Sequence, residues 1–249
     1  MYKFFVEENA INESEIRIVG EDYNHIANVL RMRLGEEVLV STGNDREYLC
    51  EIFAFLDESV ALRIVDVYAS NRELPARISL YQALPKGDKM ETIIQKAVEL
   101  GVHRIVPVVT DRVIVKLDDK KKAKKLARWN AISEAAAKQS KRDYVPEVLD
   151  PIGFKNAVKE VSDYDYKLIP YENAKGIEGS REIIAKIKSD SDNKDIAVFI
   201  GPEGGFSESE IEMAGASGIN AITLGHRILR TETAGITVLS ILMFMIDRD

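Results

Sequence analysis

The hydrophobic pattern of the first 70 residues is typical of a small β-domain. Runs that alternate apolar and polar positions, or that are rich in β-branched residues, predict strands at residues 3–6, 15–19, 37–41, 48–55 and 61–68. The polar residues 57–59 separate the last two runs, as a hairpin turn does. A helical segment over residues 23–32 interrupts this pattern and brings Ile26, Val29 and Leu30 onto one face. We therefore predict a small β-barrel with one helix.

Beyond residue 70 the pattern changes to continuous apolar strands that alternate with amphipathic helices. The predicted strands are residues 78–84, 104–110, 166–170, 196–200 and 221–224. The predicted helices are residues 88–100, 120–141, 154–161, 177–188, 208–216 and 232–246. Such strands, buried on both faces, favour an α/β fold with a parallel sheet. The polar stretch that ends at Pro75 marks the boundary, so we predict domains at residues 1–70 and 73–249.

Composition excludes several classes of protein. The chain has 249 residues, of which 45% are hydrophobic and 30% charged, as in soluble globular proteins. A single cysteine, Cys50, cannot form an internal disulfide, and no cluster of His and Cys indicates a metal site. The longest apolar run, residues 234–246, is shorter than the roughly 20 residues of a membrane span. The amino terminus turns acidic without a signal-peptide pattern, so we expect a cytoplasmic protein without metal or membrane association.

Charge is divided unevenly along the chain. Residues 1–70 contain 6 basic and 14 acidic side chains, whereas residues 72–142 contain 17 basic and 8 acidic ones. A basic region of this kind is compatible with a surface that binds a polyanion. The lysine run within residues 120–125 is also compatible with the solvated face of a helix.

Three predicted strand ends carry the chemistry. The segment GPEGGFSESE at residues 201–210 follows a buried strand and contains Ser207 and Glu210 at the spacing of a capping box. Glycines in such a turn let the backbone approach a ligand closely. It matches neither the dinucleotide fingerprint nor the P-loop, because no lysine follows and Pro202 lacks an N–H.

A second glycine turn follows about twenty residues later. The segment LGHRILRTETA at residues 224–234 carries Arg227, Arg230 and Glu232 just before an apolar helix. A third strand end brings Glu172 to the same predicted sheet edge. We therefore predict one ligand site formed by the three strand ends.

These segments resemble the ribosomal RNA small subunit methyltransferase E family of the SPOUT superfamily. The similarity extends over nearly the whole chain and is carried by six segments: HIANVLRMRLGE at residues 25–36, ALPKGDK at 83–89, KAVELG at 96–101, SEAAAKQSKR at 133–142, IGPEGGF at 200–206 and LGHRILRTETA at 224–234. The last two match the family's most specific motifs. The resemblance implies a PUA-like β-barrel that binds RNA, followed by a SPOUT-type parallel sheet with a trefoil knot near the carboxyl terminus.

The resemblance also implies a reaction. Members of the family use S-adenosylmethionine to methylate N3 of one uridine in 16S ribosomal RNA, and SPOUT domains commonly form homodimers. The partners implied are therefore 16S ribosomal RNA or the small ribosomal subunit, together with a second copy of the chain. Two alternatives remain open: a noncatalytic RNA-binding or ribosome-assembly factor, and a SPOUT enzyme that methylates the ribose 2′-hydroxyl.

Candidate site residues follow from the motifs and the predicted loops. Catalytic candidates are Arg230, Arg227 and Glu232. Cofactor-binding candidates are Ile169, Pro170, Glu172, Ile200, Gly201, Glu203, Gly204, Gly205, Leu224, Gly225, Ile228, Leu229 and Thr233. RNA-binding candidates are His25, Arg31, Arg33, Lys86, Lys89, Gln139 and Arg142.

Removal of the N3 proton leaves negative charge on the uracil carbonyls, which a cation must face. Arg230 or Arg227 is the candidate for that cation. Either Glu232 or Glu203 is available to accept the proton or to hold the arginine.

Overall fold

The fold comprises two compact units. A computed structural model describes residues 1–12, 14–44, 46–113, 119–172, 174 and 176–248. Unit 1 contains residues 1–73 and 137–145, and unit 2 contains residues 74–136 and 146–249.

Unit 1 is built on a six-stranded sheet. Its strands are β1 (Tyr2–Phe5), β2 (Ile11–Asn12), β3 (Glu15–Val19), β4 (Glu37–Ser41), β5 (Arg46–Leu56) and β6 (Ser59–Ala69). They pair in the order β1-β4-β5-β6-β3-β2. Only the β1–β4 pair among these described strands is parallel. Alternate residues of five strands, such as Ile16, Ile18, Val38 and Val40, meet in one buried cluster, which gives the unit a barrel-like core.

The helical interruption of unit 1 differs from the prediction. An α-helix, α1, spans Gly20–Asn24 and continues as a π-helical turn over His25–Val29, where Leu30 N donates to His25 O at 2.8 Å. Ile26 is fully buried, but Val29 is 61% exposed. The predicted shared face is therefore wrong at Val29, because a π turn adds a residue and shifts the helical phase.

Residues 137–145, which we assigned to the second domain, belong to unit 1. Buried Lys3 explains this difference: its Nζ lies 2.9 Å from both Glu47 Oε1 and Asp143 Oδ1. Ser41 Oγ donates to the Asp143 backbone carbonyl at 2.6 Å. A buried ammonium group needs anionic partners, so these contacts hold the 137–145 segment against the β-strands.

Unit 2 alternates strands and helices as predicted. The strands are β7 (Arg77–Ala83), β8 (Arg104–Val109), β9 (Glu147–Val148), β10 (Ile152–Gly153), β11 (Tyr166–Pro170), β12 (Asp195–Ile200) and β13 (Asn220–Ile222). The helices are α2 (Lys89–Glu99), α3 (Asp119–Ser140, whose last residues lie in unit 1), α4 (Phe154–Glu160), α5 (Ile177–Ser189), α6 (Glu208–Ala216) and α7 (Thr231–Ile246). β9 and β10 were not predicted, because two residues are too short for a hydrophobic period.

The sheet of unit 2 is entirely parallel and is covered on both faces. Its order is β10-β8-β7-β12-β11-β13, with β9 also paired to β8. Helix α7 packs against α2 and α5, whereas α4 packs against α6. On the α4 and α6 side, Tyr81 and Phe199 stack at 4.7 Å within a buried aromatic cluster. This confirms the predicted α/β class, while the knot stays a prediction from the family resemblance.

The order of strands explains where a site can form. β12, β11 and β13 are neighbours, so the loops that follow Ile200, Pro170 and Ile222 emerge at one edge of the sheet. None of the described helices is both long and apolar enough to cross a membrane.

Candidate functional site

A cleft of about 660 Å³ lies at the carboxyl ends of β12, β11 and β13. The three predicted loops line it, and so do Lys89 of α2 and Arg112, which follows β8. Its volume is within the range of pockets that bind small molecules and cofactors. The three predicted strand-end loops therefore line one cleft in unit 2.

The first glycine loop is a tight turn that favours glycine at two positions. Gly205 has a φ of 69°, in the left-handed region, and its N–H donates to Pro202 O at 2.9 Å. A Cβ on Gly201 would lie 3.1 Å from the Phe206 ring. Helix α6 then begins with the predicted capping box, formed by Ser207 and Glu210.

A chain of hydrogen bonds connects the two glycine loops. Thr231, the first residue of α7, donates from Oγ1 to Gly201 O at 2.6 Å. Buried Gln82 of β7 donates from Nε2 to the Thr231 hydroxyl at 3.0 Å. The start of α7 and the end of β12 are thus held together from within the sheet.

Lys89 links two carboxylates beside the cleft. Its Nζ donates to Glu203 Oε1 at 3.0 Å and forms an ion pair with Glu232 Oε2 at 3.3 Å, and chiefly the hydrogen bond to Glu203 raises the pKa of Lys89. The backbone N–H of Lys86 also donates to Glu203, at 3.2 Å. Burial alone would raise the pKa of Glu203, but the hydrogen bonds from Lys89 and the backbone outweigh it and lower that pKa. Glu203 is therefore a firmly ionised anchor of its loop.

Arg227 and Arg230 lie in a different environment from Lys89. Both are exposed and line the cleft. Within the part of the chain that the structure describes, neither guanidinium has a hydrogen bond or an ion pair. These two cations are available to a bound anion or to charge that develops on a substrate.

The structure brings most of the predicted cofactor residues to this cleft. Those that line it are Pro170, Glu172, Ile200, Gly201, Glu203, Gly204, Gly205, Leu224, Gly225, Ile228 and Leu229. Ile169 does not: it is 1% exposed and packs in the aromatic cluster, because successive strand residues face opposite sides of the sheet. Thr233 also lies outside the lining, as an exposed residue of α7. Glu232 reaches the site through Lys89 without lining the cleft.

Sequence reasoning missed Arg112. This exposed arginine donates from Nη1 to Gly204 O at 2.7 Å and lines the cleft. Its position after the apolar strand β8 is the signal that could have identified it, because β8 ends at the same sheet edge as the predicted loops.

The RNA-binding candidates divide between the units. In unit 1, His25, Arg31, Arg33 and Gln139 are exposed, and Arg31 has a φ of 52°. In unit 2, Lys86 is exposed, while Lys89 is engaged with its two carboxylates.

Arg142, in contrast, is 3% exposed, and its guanidinium forms a two-point pair with Glu73. It acts as a structural residue of unit 1, since a buried, paired guanidinium cannot reach a phosphate in solution. In the described residues, no group of three or more His, Cys, Asp or Glu side chains is arranged to hold a metal ion.

Comparison with known proteins places the chain in a family. A family model described as an RNA methyltransferase domain matches residues 72–243, and one described as an RNA methyltransferase PUA domain matches residues 18–64. Ribosomal RNA small subunit methyltransferase E of Bacillus subtilis is 36% identical, over 99% of this chain and 98% of the relative. The protein of that name from Mesomycoplasma hyopneumoniae is 34% identical, over 96% and 98%.

A solved structure gives the same result. The crystal structure of a ribosomal RNA small subunit methyltransferase E from Neisseria gonorrhoeae, bound to S-adenosyl methionine, is 33% identical and has a TM-score of 0.85. The alignment covers 98% of each chain. The chain therefore belongs to the ribosomal RNA small subunit methyltransferase E family.

Proposed function

We propose that this protein transfers the methyl group of S-adenosylmethionine to N3 of a uridine in 16S ribosomal RNA. The observation that carries this proposal is the 660 Å³ cleft, in which two glycine loops meet two arginines that lack partners among the described residues. The names of the relatives and the bound ligand of the Neisseria gonorrhoeae structure support the substrate and the cofactor. The cytoplasm, where ribosomes are assembled, is the compartment that this activity requires.

The residues of the cleft fit S-adenosylmethionine. Apolar Ile200, Leu224 and Leu229 suit an adenine ring, and the Glu172 carboxylate can accept hydrogen bonds from ribose hydroxyls. The glycines of the loop at Gly201–Gly205 carry no side chain, so a ligand can approach the backbone there closely. When bound, the cofactor supplies an activated methyl group on a sulfonium. The protein then mainly has to align the attacking atom with that methyl group.

The arginines stabilise the charge that develops on the base. Uridine N3 becomes nucleophilic as its proton leaves, and negative charge spreads to the neighbouring carbonyl oxygens. Arg230 and Arg227 are exposed at the cleft and carry donors that face no protein acceptor in the described structure. A guanidinium beside a developing oxyanion stabilises it by charge and hydrogen bonding.

Glu232 is the better proton acceptor of the two carboxylates. Glu203 accepts hydrogen bonds from Lys89 and from the Lys86 backbone, and its pKa is lowered, which makes it a weak base. Glu232 shares Lys89 at the longer distance of 3.3 Å. This leaves Glu232, which contacts the cleft only through Lys89, as the candidate to accept the proton.

Nucleoside analysis of 16S ribosomal RNA distinguishes this function from its two alternatives. RNA from cells that lack the protein is incubated with purified enzyme and S-adenosylmethionine, digested, and examined by mass spectrometry. We expect 3-methyluridine to appear. A 2′-O-methylated nucleoside would indicate a ribose methyltransferase, and RNA binding without any new nucleoside would indicate a noncatalytic assembly factor.

A homodimer is part of this proposal. Helix α7 is mostly apolar in its carboxyl-terminal half, where Phe244 is 81% exposed and Ile241 is 38% exposed. A second copy of the same face would cover these side chains in an isologous interface. Phe244→Glu should shift the mass in solution from dimer to monomer, whereas Met213→Glu, on α6, should not. A monomer mass for the wild-type protein at all concentrations would refute the dimer.

A further inference from the structure

The glycine loop is held by neighbouring elements on both sides. On one side, the carboxylate of Glu203 binds Lys89 and the Lys86 backbone. On the other side, residues that follow β8 contact the loop and the start of α6. This second set of contacts has no role in the reaction as described above.

Three hydrogen bonds form a closed network around Glu210. The Glu210 side chain is buried, and its Oε1 accepts from Asp111 N at 2.9 Å while Oε2 accepts from Ser207 N at 2.8 Å. Ser207 Oγ in turn donates to Asp111 Oδ2 at 2.7 Å. The capping box of α6 is thereby extended to the neighbouring strand end, which fixes Asp111 and so the base of the Arg112 side chain.

Arg112 connects this hydrogen-bond network to the cleft. Its Nη1 binds Gly204 O at 2.7 Å, and the N–H of the same peptide unit, on Gly205, donates to Pro202 O at 2.9 Å. Both ends of the Gly204–Gly205 peptide are therefore hydrogen-bonded. The stem of Arg112 also covers Gly204, since a Cβ there would lie 3.5 Å from Arg112 Cβ.

We propose that Arg112 is a positioning residue for the cofactor. It sets the plane of the Gly204–Gly205 peptide, so that the loop has its binding shape before S-adenosylmethionine arrives. Preorganisation of this kind lowers the ordering cost of binding and acts on cofactor affinity. The inference rests on the proposed function, because it assigns the ligand of the same cleft.

Calorimetric titration with S-adenosylmethionine tests the proposal on a series of full-length variants. Arg112→Met keeps the stem but removes every donor, and we expect it to weaken cofactor binding by about tenfold. Arg112→Lys restores one donor toward Gly204 O and should recover most of that loss. Arg128→Met is the matched control, because Arg128 is an exposed arginine of the same unit that pairs with Glu91 and does not line the cleft.

Two further measurements separate positioning from other roles. The melting temperature of Arg112→Met should stay within about 2 °C of wild type, since a single exposed hydrogen bond contributes little to global stability. At saturating cofactor, turnover and the Michaelis constant for RNA should both remain within about twofold of wild type.

The outcomes are distinct. Wild-type cofactor affinity in Arg112→Met would overturn the proposal, and so would a raised Michaelis constant for RNA with unchanged cofactor affinity, which would identify a phosphate contact. A failure of Arg112→Lys to recover affinity would also overturn it. Absence of cofactor binding by the wild-type protein would instead overturn the proposed function itself.

Discussion

Thr231 Oγ1 donates a 2.6 Å hydrogen bond to the backbone carbonyl of Gly201, although the two residues are 30 positions apart. The bond joins the end of β12, where the first glycine loop begins, to the start of α7, where the second glycine loop ends. Because Thr231 is 5% exposed, water cannot replace its hydroxyl if that group is lost.

Thr231→Val should therefore destabilise the protein by about 1–3 kcal/mol, since it leaves Gly201 O without its donor and removes an acceptor from buried Gln82. Thr231→Ser keeps the hydroxyl and should lose much less. Thermal denaturation of both variants provides the comparison. Equal melting temperatures for the two variants would mean that the hydroxyl contributes nothing.

Substitutions at two neighbouring glycines of the first loop should have different effects on stability. Gly205→Ala forces a side chain into a left-handed conformation, with φ at 69°, and should cost about 1–2 kcal/mol of stability. Gly204→Ala should leave stability nearly unchanged, because its Cβ would make an ordinary contact at 3.5 Å with Arg112. If the loop contacts the cofactor, both variants weaken binding in calorimetry. Normal affinity in both would remove this loop from the cofactor site.

Arg230→Ala tests the stabilisation of charge on the base. We expect turnover at saturating RNA and cofactor to fall by a factor on the order of 10², with cofactor affinity nearly unchanged. Arg181→Ala serves as the control, since Arg181 is exposed on α5, pairs with Glu178 and does not line the cleft. A higher Michaelis constant for RNA with normal saturated turnover would show instead that Arg230 only binds RNA.

The lowered pKa of Glu203 predicts a dependence of stability on pH. Its pKa is lower in the folded protein than in the unfolded chain, so its contribution is complete above the unfolded pKa of about 4.3 and is lost as the pH falls through the folded value. Glu203→Gln should melt about 1–2 °C below wild type at pH 7. This difference should begin to shrink as the pH falls below the unfolded pKa of about 4.3 and should disappear once the pH lies below the folded pKa. A difference that persists in acid would point to packing rather than charge.

The exposed arginines of unit 1 predict the salt dependence of RNA binding. Each of Arg31 and Arg33 that neutralises a phosphate should contribute about 0.7–0.9 to the slope of log affinity against log salt. The double variant Arg31→Gln, Arg33→Gln should reduce that slope by the sum of the two contributions. Arg17→Gln, on β3, should leave the slope unchanged. An unchanged slope in the double variant would exclude both as phosphate contacts. Arg142 is unsuitable for this test because its guanidinium is buried against Glu73.

The local elements could be predicted well from the sequence. The bounds of β11 and α6 agree at both ends with the hydrophobic pattern, and the capping box at Ser207 and Glu210 is present as expected. The glycine loops were also predictable, because a turn that needs left-handed backbone selects glycine itself, as at Gly205 and Gly225. The family could be recognised because its motifs are short segments that are visible in the sequence itself.

The partners of individual side chains could be identified only from the tertiary structure. Arg142 and Lys89 look alike in a basic stretch of sequence, yet one is buried against Glu73 and the other joins Glu203 to Glu232. Arg112 belongs to none of the motifs, and its contact with Gly204 depends on which strands are neighbours in the sheet. Hydrophobic periodicity and turn chemistry act between residues close in sequence, so the sequence alone determined the elements and the loops. Pairing and burial depend on segments brought together only by packing, so the folded chain decided which charges serve the cleft and which serve the core.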